Sequence, residues 1–180
     1  MKMEKSINYN SIWQSVDAVN YYCFLFVAAS VGGWCMEVLF RSIVHHQLTI
    51  PGFLLGPYCP IYGMGMLLVM FLCDPKHKVT SYFKIVILTS LLEYVISFIS
   101  ENLFGRLLWD YSGLPLSIGT RVSLVFSLAW GLLGMGFLLL VEPRMSELYK
   151  KNRERSINLS VVFLIMICMD MIACVIMQLI

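Results

Sequence analysis

An all-α bundle of about five membrane-spanning helices is the fold this sequence predicts, and three observations predict it. The 180-residue chain is 59% hydrophobic and only 13% charged, about half the charged share of an ordinary soluble domain, with a mean hydropathy of +0.78. Its apolar residues gather in five long segments. Its basic residues gather in alternate connections. A single integral membrane domain over residues 1–180 accounts for all three, because side chains that face lipid cannot be polar.

The segments run over 21–44, 57–73, 82–104, 119–141 and 159–180. Four have about the 20 residues a spanning helix needs. The second is short and opens with Pro57 and Pro60, which a first helical turn tolerates. A weakly basic start followed by an apolar stretch resembles a signal peptide. That stretch continues to Val44 without an Ala-x-Ala site, so it reads as a retained span. Lys2 and Lys5 precede the first segment, Lys76, Lys78 and Lys84 follow the second, and Arg144, Lys150, Lys151, Arg153 and Arg155 follow the fourth; these are ten of the 13 basic residues. Basic connections stay on the cytoplasmic side. The expected order is a cytoplasmic segment 1–20, a four-span core 21–141, a basic cytoplasmic connection 142–158 and a fifth span 159–180, with the C-terminus outside the plasma membrane. In the basic connection Met145, Leu148, Tyr149 and Asn152 share one face. This predicts an interfacial helix with snorkelling Lys and Arg, or a docking site for a cytoplasmic partner.

The outer connections differ. No charge occurs between Gln47 and Cys73. LTIPGFLLGPYCP is too apolar for a solvated loop and too rich in Pro and Gly for a helix. Irregular backbone at membrane depth survives only inside protein or against a wet cavity, so this loop should fold inward. The next outer loop carries Trp109 and Tyr111, which suit an interfacial aromatic belt. Glu37-Val-Leu-Phe-Arg is echoed by Glu101-Asn-Leu-Phe-Gly-Arg, 64 residues on, and Pro51 by Pro115 at the same offset. This is the trace expected of two parallel helical repeats.

Charges inside spans carry the chemistry. Each costs at least ~2.5 kcal/mol near the bilayer centre and normally faces the bundle and pairs. Glu37 and Arg41 lie four apart with the acid first, the favourable order. Ala29, Gly33, Glu37 and Arg41 form one stripe; Thr89, Glu93, Ser97 and Glu101 another; Gly119, Ser123, Ser127 and Gly131 a third. Small and hydroxyl residues at such spacing let helices pack closely around a polar centre. The candidate cavity residues are Glu37, Arg41, Glu93, Ser97, Glu101, Arg106, Trp109, Asp110, Tyr111 and Arg121. The three acids and three arginines could satisfy one another as structural ion pairs. They could equally form a solute, ion or proton site, the arginines suiting phosphate or carboxylate groups. Asp170 has no basic neighbour in sequence and should face the cavity or a partner chain.

Other classes find little support. The six cysteines form no Cys-x-x-Cys pair and read as packing residues. No phosphate-binding GxxxxGK[ST] loop and no HExxH is present, and His45-His46 lacks a third ligand nearby. No catalytic residue, metal or cofactor is assigned. Basic residues interleaved with aromatics are missing, which argues against nucleic acid.

The motifs resemble a known family. PGFLLGPYCPIYGMG (51–65), LLEYVISF with ENLFG (91–105), WDYS (109–112), GTRVSL (119–124) and the Gly-Trp-x-x-Glu of 33–37 are similar to the ABC-transporter type IV family of CmpB-type membrane proteins. The resemblance covers residues 24–145. It implies a permease and matches Glu37, Glu93, Glu101, Trp109, Asp110, Tyr111 and Arg121. The chain departs from it at 115–121, where the family has an asparagine-containing pattern. Three functions compete. The first is a permease or permease-like subunit with a polar outer cavity for an anionic or amphiphilic solute, partnered by membrane lipid, a homo-oligomer or a separate ATPase docked at 142–158. The second is a non-catalytic partner or regulator of an envelope complex. The third is a membrane enzyme acting on a lipid-linked substrate, with a glutamate base.

Overall fold

The computed structural model describes residues 9–179, with side chains described from 15 to 178; the expected cytoplasmic residues Lys2 and Lys5 lie outside these. Helix α1 (Tyr9–His45) is followed by a non-helical loop, α2 (Pro60–Leu72) and α3 (Lys78–Phe104). A minimal hairpin of β1 (Ser117–Ile118) and β2 (Val122–Ser123) leads into α4 (Leu124–Gly136). A π-helical segment, Phe137–Val141, joins α4 to α5 (Glu142–Lys151), and α6 (Arg153–Leu179) closes the bundle. Four helical stretches are long and apolar enough to cross a membrane: Ser15–His45, Lys78–Phe104, Leu124–Lys151 and Arg153–Gln178. The shorter α2 is apolar as well.

Several boundaries differ from those read off the sequence. Pro57 lies in the loop, and α2 starts at Pro60, where a proline without an N–H loses nothing in the first turn. Residues 119–123 are not helical: Gly119 takes a left-handed φ of +59° and Val122 pairs with Ile118 across the hairpin. The stretch 142–158, expected as an interfacial helix or a docking site, is helical. It continues the helix from α4 and breaks only at Asn152 before α6 begins. Its Tyr149 is buried against Tyr21 and Phe24 of α1 and donates to Asp17 Oδ1 at 2.9 Å, while Arg153 Nε binds the same oxygen at 2.7 Å. A carboxylate at the start of α1 thus fastens the basic end of the bundle.

Two hairpins, α1–α2 and α3–α4, pack in matching fashion. In the first, Gly63 sits directly against Phe26 and the Ser30 hydroxyl. In the second, Ser127 Oγ meets Ser90 Oγ at 2.6 Å. Positions 90 and 127 lie 64 residues beyond 26 and 63, the offset at which the Glu-x-Leu-Phe motif recurs. The sequence echo therefore coincides with a repeated helix contact. A third small residue, Gly131, lets Tyr82 and Val86 of α3 close on α4.

The loop over 46–59 folds inward, as its composition predicts. Leu54 and Tyr58 are buried with Ile167 and Cys174 of α6, beside Phe26, Val31, Phe53 and Phe163. Cys59 N–H donates to the Ser30 carbonyl at 2.9 Å. Asp170 of α6 fixes the loop: its Oδ2 accepts from Leu55 N at 3.0 Å, Gly56 N at 2.9 Å and Tyr58 Oη at 2.9 Å. Asp170, which does not border the large cavity, thus finds its partners in the loop of its own chain. Its counterpart is loop backbone, the one place where irregular chain inside a bilayer can find acceptors.

Candidate functional site

The loop end of the bundle holds the charges. On α1, Arg41 grips Glu37 through Nη2 at 2.6 Å and Nε at 2.9 Å. Tyr62, entering from α2, donates to the other Glu37 oxygen at 3.1 Å. Its ring occupies the space over Gly33, where any Cβ would collide with it. The stripe of Gly33, Glu37 and Arg41 is thus one unit, the glycine admitting the tyrosine that completes the glutamate. Exchanging the two charges, with Glu37→Arg and Arg41→Glu together, is expected to rebuild the ion pair but not the Tyr62 bond. The double variant should melt above either single variant and still below the parent in detergent.

On α3, Glu93 is 6% exposed. Its Oε1 accepts from Trp130 Nε1 at 2.9 Å and Tyr111 Oη at 3.1 Å. Tyr111 is placed by its own loop. Its N–H donates to the Thr120 carbonyl at 3.0 Å, and its ring stacks on Phe126 at 4.8 Å. Trp130 stands edge-on to Tyr62, with ring centres 5.7 Å apart. The two glutamates are thereby bridged by an aromatic pair, and Glu93 has no cation partner among the described residues. Glu101 binds Arg121, whose guanidinium lies 5.6 Å and 5.8 Å from the ring centres of Tyr94 and Phe98. Trp109 Nε1 donates to the Arg121 carbonyl at 2.9 Å. Tyr111 and Trp109, both half-buried, thus spend their polar groups inside the fold.

Glu37, Arg41, Glu93, Arg106, Trp109 and Tyr111 border one cavity of about 1140 Å³. It runs from this cluster between the two hairpins as far as Leu140, Val141 and Met145 near the basic end. Most of its wall is apolar, from residues such as Met36, Leu92, Ile96, Leu133 and Phe137. Arg106 lies at its exposed rim, 5.8 Å from the Phe53 ring centre. Ser97, Glu101, Asp110 and Arg121 do not border it. Asp110 is exposed in the loop and accepts from Ser112 N at 2.8 Å; that amide and the Ser112 hydroxyl hold its carboxyl below the usual range. Among the described residues no cluster of His, Cys, Asp and Glu is suited to a metal ion.

Tyr62 and Trp130 are the residues that sequence reasoning missed. The available signal was Trp130 itself. A tryptophan deep within an apolar span, away from either interface, needs a partner for its indole N–H.

No curated protein and no solved structure matches the chain. One family model does, over residues 24–175, and so takes in the basic stretch and most of α6 that the motifs alone leave out. With four helices of spanning length and composition, this is a multi-pass membrane protein of transporter type. It belongs to the family described as "Putative ABC-transporter type IV".

Proposed function

We propose that the protein is a permease or permease-like subunit whose cavity takes an amphiphilic solute. The cavity carries this reading: about 1140 Å³, apolar along most of its length and polar at one end. Sites for drug-sized solutes occupy about 300–1,000 Å³. The volume therefore suits a lipid-sized molecule, its chain along the apolar wall and its head group by Glu37, Arg41 and Glu93. A small anion is less well served, because Arg41 and Arg121 are each bound by a glutamate. The placement of Lys and Arg supports a plasma-membrane orientation with the loop end outside and the basic end in the cytoplasm. The exposed Lys150, Lys151 and Arg155 there suit contact with a separate ATPase or other subunit.

The mutual pairing of Glu37 with Arg41 and of Glu101 with Arg121 favours a second reading, a non-catalytic partner in which these charges only fix helix register. A blocked cavity separates the two. Gly65 borders the cavity, and a Cβ there would make only an ordinary 3.7 Å contact with Leu92. The protein in nanodiscs is expected to bind a pyrene-labelled lysophospholipid. Gly65→Phe should weaken that binding tenfold or more, with melting unchanged within a few degrees. Equal binding by the two proteins would remove the cavity from the function and leave the partner reading.

A further inference from the structure

Hydroxyls in these helices mostly return to their own backbone. Ser30, Thr89, Ser90 and Ser160 each donate to the carbonyl four residues back, at 2.8, 2.8, 2.7 and 2.7 Å. That is the ordinary choice of a serine or threonine in an apolar helix. Ser81 and Ser100 donate to other carbonyls instead, of Asp74 and Arg106, but two serines have no partner among the described residues. Ser97, fully buried within α3, has no hydrogen-bond partner among the described residues. Ser123 stands at the N-cap of α4, where a serine usually accepts an amide of the first turn. It too is fully buried, forms no capping bond and has no partner among the described residues. A third oxygen shares their condition: Glu93 Oε2, buried and unpartnered, while Oε1 takes both Trp130 and Tyr111. Buried polar atoms without partners are few in native proteins. Among the described residues two nitrogens, Trp34 Nε1 and Arg121 Nε, are in the same condition, but the three oxygens all belong to α3 and the start of α4 and call for a common explanation.

The helix register brings them to one level. The Ser90–Ser127 contact pins α3 against α4. Counting ~1.5 Å per helical residue and ~3.3 Å for the extended Ser123 from that pin toward the loop end, Glu93 lies about 4.5 Å away, Ser123 about 8 Å and Ser97 about 10.5 Å. Ser123 therefore falls between the other two in height, on the facing element. Glu93 and Ser97 are one turn apart on the same face of α3. All three donors are hard oxygens, and together they carry one negative charge. Of the nearby arginines, Arg41 is bound to Glu37, and Arg121 binds Glu101 through Nη2 while its Nε is buried without a partner among the described residues.

We propose that Glu93 Oε2, Ser97 Oγ and Ser123 Oγ form a binding site for one sodium ion between α3 and the start of α4. A monovalent ion matches the single carboxylate, whereas a divalent ion would leave a net charge in an apolar interior. Oxygen-only ligands at a non-helical chain segment are the kind of setting in which membrane proteins hold sodium. Because Glu93 also borders the cavity, the ion would sit behind its wall. The proposal does not depend on which solute the cavity takes.

The test is thermal unfolding of the purified protein at constant ionic strength, with sodium chloride exchanged for choline chloride or potassium chloride. An ion that binds only the folded state stabilises it by mass action. Above its dissociation constant, each tenfold rise in sodium should lift Tm by roughly 3–5 °C. Glu93→Gln should abolish the sodium response. Ser97→Ala and Ser123→Ala should flatten it, yet melt no lower than the parent in choline chloride, since each removes an unsatisfied buried hydroxyl. That opposite behaviour in the two salts separates ion loss from misfolding. Equal stabilisation by sodium, potassium and choline would overturn the proposal. So would a sodium response that survives Glu93→Gln, or stability that follows pH with no response to sodium, which would mean that a proton occupies the position.

Discussion

Replacing Asp170 with alanine should release the inward loop from α6 and cost the protein roughly 3–6 kcal/mol. The carboxylate accepts two loop amides and the Tyr58 hydroxyl through one oxygen. Alanine leaves the two loop amides without an acceptor, each at about 1–3 kcal/mol, and leaves Tyr58 only its long 3.4 Å bond to the Met166 carbonyl. The loss extends beyond the loop, because Leu54 and Tyr58 pack with Ile167 and Cys174 through this clasp. Asp170→Asn keeps a carbonyl oxygen at the same place and should cost about a third as much. Two measurements check this in detergent: the melting temperature, and maleimide labelling of Cys59, half-buried beside Tyr58. Tm should fall in the order parent, Asn, Ala, and labelling of Cys59 should quicken in the same order. An alanine variant that melts and labels like the parent would show that the loop is held by its apolar contacts alone.

Asp170 also marks how far the sequence could be read. The bundle, the short proline-led helix and the inward loop follow from composition and punctuation, and the structure has them. The Glu37–Arg41 pair was legible because helical spacing of four fixes a neighbour without knowledge of the fold. The pairing of Glu101 with Arg121 rather than Arg106 was not, because it crosses between α3 and the hairpin ahead of α4. Asp170 was harder still. Its partners are amides 114 and 115 residues earlier in the chain, and a backbone amide leaves no mark on a residue pattern. Glu93 was legible as a charge needing company. The company turned out to be an indole and a phenol, which composition ranks as apolar. In 142–158 a helix with Tyr149 on one face was legible from spacing, and α5 is that helix; its docking on Asp17 of α1 was not, because those partners lie 132 and 136 residues apart.

The other large effect is expected at Gly63, and a glycine two positions away supplies its control. A Cβ at Gly63 would lie 2.5 Å from Ser30 Oγ, 2.6 Å from Phe26 Cδ2 and 2.7 Å from the Phe26 carbonyl oxygen. Two of these neighbours are side chains that can turn. The carbonyl belongs to the α1 backbone and cannot move without parting α1 from α2. Gly63→Ala should therefore cost about 1–3 kcal/mol as overpacking, and Gly63→Leu should cost more, since it forces the hairpin apart. At Gly65 the same methyl group meets only Leu92 at 3.7 Å. There alanine removes the backbone entropy of a helical glycine, and the protein should gain roughly 0.5–1 kcal/mol. Two identical substitutions within one turn of α2 should thus move Tm in opposite directions. The second hairpin supports the argument: Ser127, at the position equivalent to Gly63, carries a side chain because it faces Ser90 where Gly63 faces Phe26. Comparable losses at 63 and 65 would mean that helix propensity, rather than close approach of α1 and α2, governs both positions, and would remove the packing basis for reading the two hairpins as equivalent.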